Sequence, residues 1–300
     1  MQVALGINTC FAVKRWPLAA DWIPIVHERL GLDLVQHSFD LVPAGATAAN
    51  AEALAHATAA AGLTLHSTFT GLARYSDNLL LSPEPAGRAA AAAWYRWAID
   101  WTAAAGGIAS GGHVGAFSVP DWSDHSRRAA LWADLQAALL QLSGAASNAG
   151  LGYLMVENLA AAREPSTMAM VRELLTSGDD GHVPIRLCLD VGHMCVPGTT
   201  GPDRDPYAWL RELGRAAQVI QLQQSDSDGD HHWPFTAERN AIGRIDADRV
   251  LDALGQGGVE KTVLILEVIP AFEQDDDGVV DDLIASVDYW HEALIRSGLA

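Results

Sequence analysis

Short apolar runs alternate along this chain with longer stretches of helical apolar spacing, and the alternation repeats eight times. The runs predict strands at Val3–Asn8, Leu34–Ser38, Leu63–Thr68, Gly111–Phe117, Leu151–Glu157, Ile185–Asp190, Val219–Gln223 and Thr262–Val268. Helices are expected over Pro17–Leu30, Thr47–Ala61, Glu84–Ala105, Asp124–Asn148, Pro165–Thr176, Pro206–Ala216, Asp246–Leu254 and Val279–Arg296. Gly31 and Gly62 stand where C-terminal caps belong, and Ser123 or Asp124 where an N-cap belongs. The third strand carries His66 and leads into a long loop through Tyr75 and Leu80; the Gly-rich fourth strand carries His113. Regular alternation of strand and helix implies parallel strands joined by right-handed crossovers. Eight units without a linker or composition break predict one α/β domain over residues 1–300, a closed (β/α)8 TIM barrel. A doubly wound open sheet is the alternative. Against it, Asn8-Thr9-Cys10-Phe11 is not a GxGxxG turn, and no P-loop occurs.

Strands covered on both faces are apolar throughout, so a polar residue at the end of one calls for a reason. Four runs end this way, on Glu157, Asp190, Gln223 and Glu267. A barrel gathers such ends at one mouth, where barrel enzymes hold their sites, and His66, His113 and His193 would share it. Taken singly, each of these residues is more simply a cap, an ion-pair partner or a hydrogen-bonded core histidine. Together, three carboxylates in a small apolar-walled space repel one another, and a divalent cation relieves the repulsion. Glu157, Asp190, Gln223 and Glu267 are therefore candidate ligands of one metal ion. Their oxygens favour Mn²⁺ or Mg²⁺, with Zn²⁺ or Co²⁺ as alternatives.

Charge and cysteine content narrow the classes. A net charge of −18 with only 19 basic residues argues against nucleic acid as a partner. Cys10, Cys188 and Cys195 form no CxxC pair, which suits a reducing compartment. Without a recognisable signal peptide or an apolar run long enough for a membrane span, a cytoplasmic protein is expected. Lys14 and Arg15 follow the first strand at the mouth, and Arg163, Arg204 and Arg239 lie in other loops at that end; any of them could bind a phosphate or carboxylate. Phe11, Trp16, Phe69 and Trp233 could wall a sugar's C–H faces or simply pack. The loop Ser225–Phe235 holds Asp226, Asp228, Asp230, His231 and His232; it is either a solvated polar loop or one whose His232 closes over substrate or meets a second metal.

Glu157-Asn158-Leu159, Asp190-Val191-Gly192-His193, Gln223-Gln224-Ser225-Asp226 and Glu267 resemble the sugar isomerase/epimerase superfamily with a xylose isomerase-like barrel. That superfamily includes the ketose 3-epimerases, hydroxypyruvate isomerase and, more distantly, endonuclease IV. Ala241–Asp246 is similar to the Gly-x-Ile-Asp segment before its seventh helix. The epimerase branch implies a Glu–Asp–His–Glu metal site, matched by Glu157, Asp190 and Glu267. Gln223 stands at the His position, as in hydroxypyruvate isomerase. The resemblance implies that Glu157 and Glu267 flank a small carbohydrate and exchange protons through a metal-bound enediolate. His193 would bind a substrate oxygen, with His66, His113, His232 and Lys14 as further substrate contacts. It also implies a homodimer or homotetramer. The alternatives are a lyase or decarboxylase on the same chemistry, a phosphodiesterase like endonuclease IV, which would use His66, His113, His193 and the Asp230-His231-His232 run, and a catalytically silent barrel.

Overall fold

The computed structural model describes residues 1–72, 79–179 and 181–299; the loop expected through Tyr75 lies outside the described residues. Eight parallel strands close into one barrel in sequence order. They are β1 (Gln2–Asn8), β2 (Leu34–Ser38), β3 (Thr64–Phe69), β4 (Ala109–Gly112), β5 (Tyr153–Glu157), β6 (Ile185–Asp190), β7 (Ala217–Leu222) and β8 (Lys261–Leu266). The barrel shuts through β1 and β8, with Gln2 paired to Lys261 and Ile7 to Leu266. Helices pack outside each crossover, as the sequence pattern requires.

Strand alternation sorts the side chains between two cores. On β6, Leu187 and Leu189 face outward to the helices, whereas Cys188 belongs to the barrel's interior cluster. The same two-residue step puts Tyr153 and Met155 inside on β5, Val219 inside on β7, and Val263 and Ile265 inside on β8. Two residues further along, those inward rows reach Glu157, Asp190, Gln221 then Gln223, and Glu267. The polar strand ends thus point into the barrel because they continue rows whose earlier members fill it.

The structure revises several boundaries. The first helix is α-helical only over Ala19–Pro24 and widens over Ile25–Arg29. Pro24 brings no N–H to the ladder, and Leu30 N–H reaches back five residues to the Ile25 carbonyl. The helix expected over Pro165–Thr176 is shorter, Met168–Leu174, with the Thr167 side chain accepting from Met170 N–H. A helix not expected, Ala237–Ile242, sits in the segment between β7 and the helix Ala247–Gln256.

The fourth strand moves furthest: it ends at Gly112, and His113 lies just past it. Gly111 and Gly112 have φ of +143° and +140°. A Cβ on Gly111 would lie 2.1 Å from the Met155 carbonyl oxygen, so only glycine lets β4 approach β5 here. Val114 and Phe117, which made 111–117 look like a strand, pack instead under the adjoining loop with Leu80, Leu81 and Tyr95.

Candidate active site

At the C-terminal end of the barrel a cavity of about 220 Å³ is lined by Glu157, Glu164, His193, Asp230, His232, Glu267 and His113, with Phe69, Leu72 and Ile269 as apolar walls. Glu157, Asp190 and Glu267 are buried, and one oxygen from each lies within 4.8 Å of the others. Asp190 is fixed from the neighbouring strand end: Asn158 accepts from the Asp190 N–H at 2.9 Å and donates to its carbonyl at 2.9 Å. Asn8, at the end of β1, donates to Glu267 Oε1 at 3.0 Å and to Gln36 Oε1 at 2.9 Å. Below it, Gln221 donates to the same Gln36 oxygen, forming a neutral amide layer under the carboxylates.

Close packing of like charges shows in the acid strengths. Burial pushes Glu157 up to about 8; Asp190 and Asp230 add to this and His193 opposes it. Burial also pushes Glu267 well above the usual carboxylate range, reinforced by Asp190 and Glu157. Glu164, whose carboxylate accepts from Ala161 N–H, is raised to about 7 by burial. Burial opposes charge on Asp230, His193 and His232 as well, but here their mutual attraction wins: Asp230 falls well below its ordinary value and both histidines rise. Among the described residues lining the cavity there is no lysine or arginine. Three mutually facing carboxylates with no lysine or arginine among them are a donor set that fits a divalent cation.

Both histidines are held by their Nδ1 atoms. His193 Nδ1 lies 2.7 Å from the Asn158 carbonyl oxygen, and His232 Nδ1 lies 3.2 Å from that of Glu267. A carbonyl only accepts, so each Nδ1 carries a hydrogen and each Nε2 faces the cavity. His193 Nε2 is 3.4 Å from one Asp230 oxygen and His232 Nε2 is 3.2 Å from the other. His232 sits at φ +49°, uncommon for a residue with a side chain.

The expected residues do not all converge. Gln223 reaches the carboxylates, but its carbonyl oxygen accepts the His232 N–H at 2.6 Å, and its amide nitrogen lies 2.8 Å from Asp230 and 3.1 Å from Asp190. It meets the acids as a hydrogen-bond donor. His113 lines the cavity and contacts the Gly71 carbonyl at 3.3 Å. His66 does not line it. As the third residue of β3 it lies low in the barrel, between Ser67 Oγ at 3.1 Å and the hydroxyl of Tyr153, the first residue of β5, at 3.4 Å. Burial and Lys261 lower His66 to about 4, so it is a neutral core histidine.

Lys14 borders an adjoining cavity that shares Cys10, Asp40, Leu72 and Ile269 with the first. Its ammonium lies 4.0 Å from the Phe272 ring centre, and its φ is +65°. Arg15 instead ties down the segment after β8, bonding Asp276 and the Ala271 and Gln274 carbonyls. Arg163 bonds the Phe117 carbonyl, Arg204 the Ser227 carbonyl, and Arg239 stacks on Trp233. Sequence reasoning missed Asn8 as a partner of Glu267 and Glu164 as a cavity acid. Asn8 ends a strand and had a visible signal; Glu164, in the loop after β5, had none.

Residues 26–285 match the model of the xylose isomerase-like TIM barrel family. The chain belongs to that family. Within it, the chain is similar to D-erythrulose 1-phosphate 3-epimerase of Brucella abortus (strain 2308), at 30% identity over 202 residues. That match spans 66% of this chain and 65% of the relative, just under two thirds of the relative's length. A Rhodospirillum rubrum protein described as a candidate xylose isomerase superposes with a TM-score of 0.87 at 32% identity, over 97% of this chain and 99% of that one. The D-psicose 3-epimerase of Clostridium cellulolyticum H10 superposes with a TM-score of 0.70 at 16% identity, over 97% and 99% of the two chains; at that identity the likeness is one of fold.

Proposed function

We propose that this chain is a divalent-cation-dependent isomerase or epimerase of a small keto-sugar or keto-sugar phosphate. The observation that carries this reading is the buried pair Glu157 and Glu267, both raised in pKa, beside Asp190 in a cavity walled by apolar side chains and histidines. The names of the Brucella and Clostridium relatives, both 3-epimerases, agree with it.

Removing a proton from a carbon beside a carbonyl needs a base near neutral strength and a second group to return a proton. Glu157, at about 8, is close to the first requirement. Glu267, also raised by burial, would serve as the second, with Asn8 donating to its Oε1. Proton return to the opposite face of the same carbon inverts it; return to the neighbouring carbon interconverts aldose and ketose. A cation held by Glu157, Asp190 and Glu267 would act as a Lewis acid toward the substrate's carbonyl. Gln223 donates to Asp190 and accepts from the His232 N–H beside that centre. His193 and His232 present positive charge to a developing oxyanion, and His113 and Glu164 are placed for substrate hydroxyls. Lys14, in the adjoining cavity, is placed for the phosphate of a phosphorylated substrate. A phosphodiesterase that used His66 at the mouth has no counterpart here, because His66 lies low in the barrel.

The test is a panel of keto-sugars and their phosphates in D₂O with added Mn²⁺, followed by NMR. Deuterium is expected at the carbon beside the carbonyl, and a chelator should stop its entry. No exchange on any member of the panel by Mn²⁺-loaded protein would overturn the proposal.

A further inference from the structure

Beneath the three carboxylates lies a part of the barrel interior that the proposed function does not use. Asn8, Gln36 and Gln221 are fully buried there at one level. Bulky apolar side chains normally fill the inside of such a barrel, so three amides in one layer call for a reason.

One backbone donor dictates how all three are turned. The Cys10 N–H can only donate, and it bonds Asn8 Oδ1 at 2.9 Å. Asn8 therefore turns Nδ2 inward, where its two hydrogens meet two acceptors, Glu267 Oε1 at 3.0 Å and Gln36 Oε1 at 2.9 Å. Gln36 must then present its oxygen. Gln221, reaching from β7 across the barrel interior, must present its nitrogen, which lies 3.0 Å from that oxygen. It does so although its own oxygen finds no partner among the described residues. Turning that amide over would set oxygen against oxygen and leave the nitrogen unmet instead, a larger cost inside a protein. Gln36 is held at its other end as well. Its Nε2 lies 3.3 Å from Ser67 Oγ, and the residue is paired in register with Asn8 on β1 and Ser67 on β3.

The consequence falls on Glu267. Asn8 engages its Oε1 from below, whereas Oε2 lies on the His232 side, 3.7 Å from Nδ1. We propose that Gln36 is a positioning residue for Glu267 and acts through Asn8. By accepting the second hydrogen of Asn8 Nδ2 it aims the first at Oε1, which leaves Oε2 to face the cation and the substrate. The task given to Oε2 rests on the isomerase reading; the chain from Gln221 through Gln36 and Asn8 to Glu267 does not.

The test is a cycle of Gln36→Met, Asn8→Ala and the double variant. Methionine keeps the length of glutamine without its oxygen. Gln36→Met is expected to lower kcat about tenfold with KM little changed, and to weaken Mn²⁺ binding by a similar factor in calorimetry. In an Asn8→Ala background it should lower neither any further, because the residue it acts through is gone. A residue that only packs would lower stability alike in both backgrounds and would not produce this non-additivity. If Gln36→Met strands the Gln221 amide and does not fold, Gln36→Met with Gln221→Met removes donor and acceptor together and should show the same losses. A further readout needs neither turnover nor cation. In metal-free protein labelled with ¹⁵N at asparagine, the side-chain amide that disappears in Asn8→Ala should have one proton moved by Gln36→Met and the other by Glu267→Gln. Those shifts in a wild type without turnover on any substrate would sink the isomerase reading and uphold the chain. An Asn8 amide that Gln36→Met leaves unmoved, or losses in kcat that multiply in the double variant, would overturn the proposal.

Discussion

In the metal-free protein, Glu157 should make stability fall as pH rises. Its folded value of about 8 exceeds the ordinary 4.5, so the folded state holds a proton that the unfolded chain has released. The group's contribution is therefore full below about pH 4.5 and lost as pH climbs through 8. The difference corresponds to an order of 5 kcal/mol for this buried carboxyl, of which about 2 kcal/mol falls between pH 6.5 and 8. That upper window is the informative one. His66 and His113, both lowered to about 4 by burial, stabilise the fold as pH rises toward 6.5, with the opposite sign, and they are neutral in both states above it. His193 and His232, raised in the fold, add a slope of the same sign as Glu157. The comparison must therefore be with Glu157→Gln, which removes only the carboxyl. Urea unfolding of chelator-treated wild type and variant at pH 6.5, 7.25 and 8 should give a stability difference that shifts by about 2 kcal/mol in the variant's favour. Saturating Mn²⁺ should abolish that trend in wild type, because the cation replaces the proton as the partner of the carboxylates. Parallel pH profiles for the two proteins would refute the reasoning, since Glu157 would then carry no raised pKa.

Three further outcomes follow from particular contacts. Glu267→Gln should lower substrate deuterium exchange by at least about 100-fold while circular dichroism stays unchanged; retained exchange would remove Glu267 from proton transfer. Asn8→Ala deletes the 3.0 Å bond to Glu267 Oε1 and should lower kcat about 10- to 100-fold with little change in KM, which steady-state kinetics would separate from a binding loss. Gly111→Ala drives a methyl group to 2.1 Å from the Met155 carbonyl in a backbone at φ +143°. It should cost about 3 kcal/mol or more, read by urea unfolding or as failure to yield soluble protein.

The sequence by itself determined the architecture. Eight apolar runs alternating with helical stretches admit few packings, and the closed parallel barrel follows from local pattern and the handedness of crossovers. It also marked Glu157, Asp190, Gln223 and Glu267, because a polar residue closing an apolar strand is visible without coordinates. Boundaries depended on neighbours the local pattern does not contain. Val114 and Phe117 read as strand, yet the strand ends at Gly112, with Gly111 close against Met155 of β5 and Gly112 against Phe69 and Thr70.

Only the tertiary structure decided which polar residues meet. His66 and His113 look alike in sequence; three residues up β3 leaves His66 bonded to Tyr153 deep in the barrel, whereas His113, just past β4, reaches the mouth. Gln223 could have faced the acids with either end of its amide, and the His232 N–H captures its oxygen. The convergence of His193 and His232 on Asp230 joins β6 to the loop after β7, a pairing that no spacing along the chain encodes. Strand periodicity is local and so can be read from the chain, whereas the end of an amide or the nitrogen of an imidazole that faces a site is set by hydrogen bonds between distant segments.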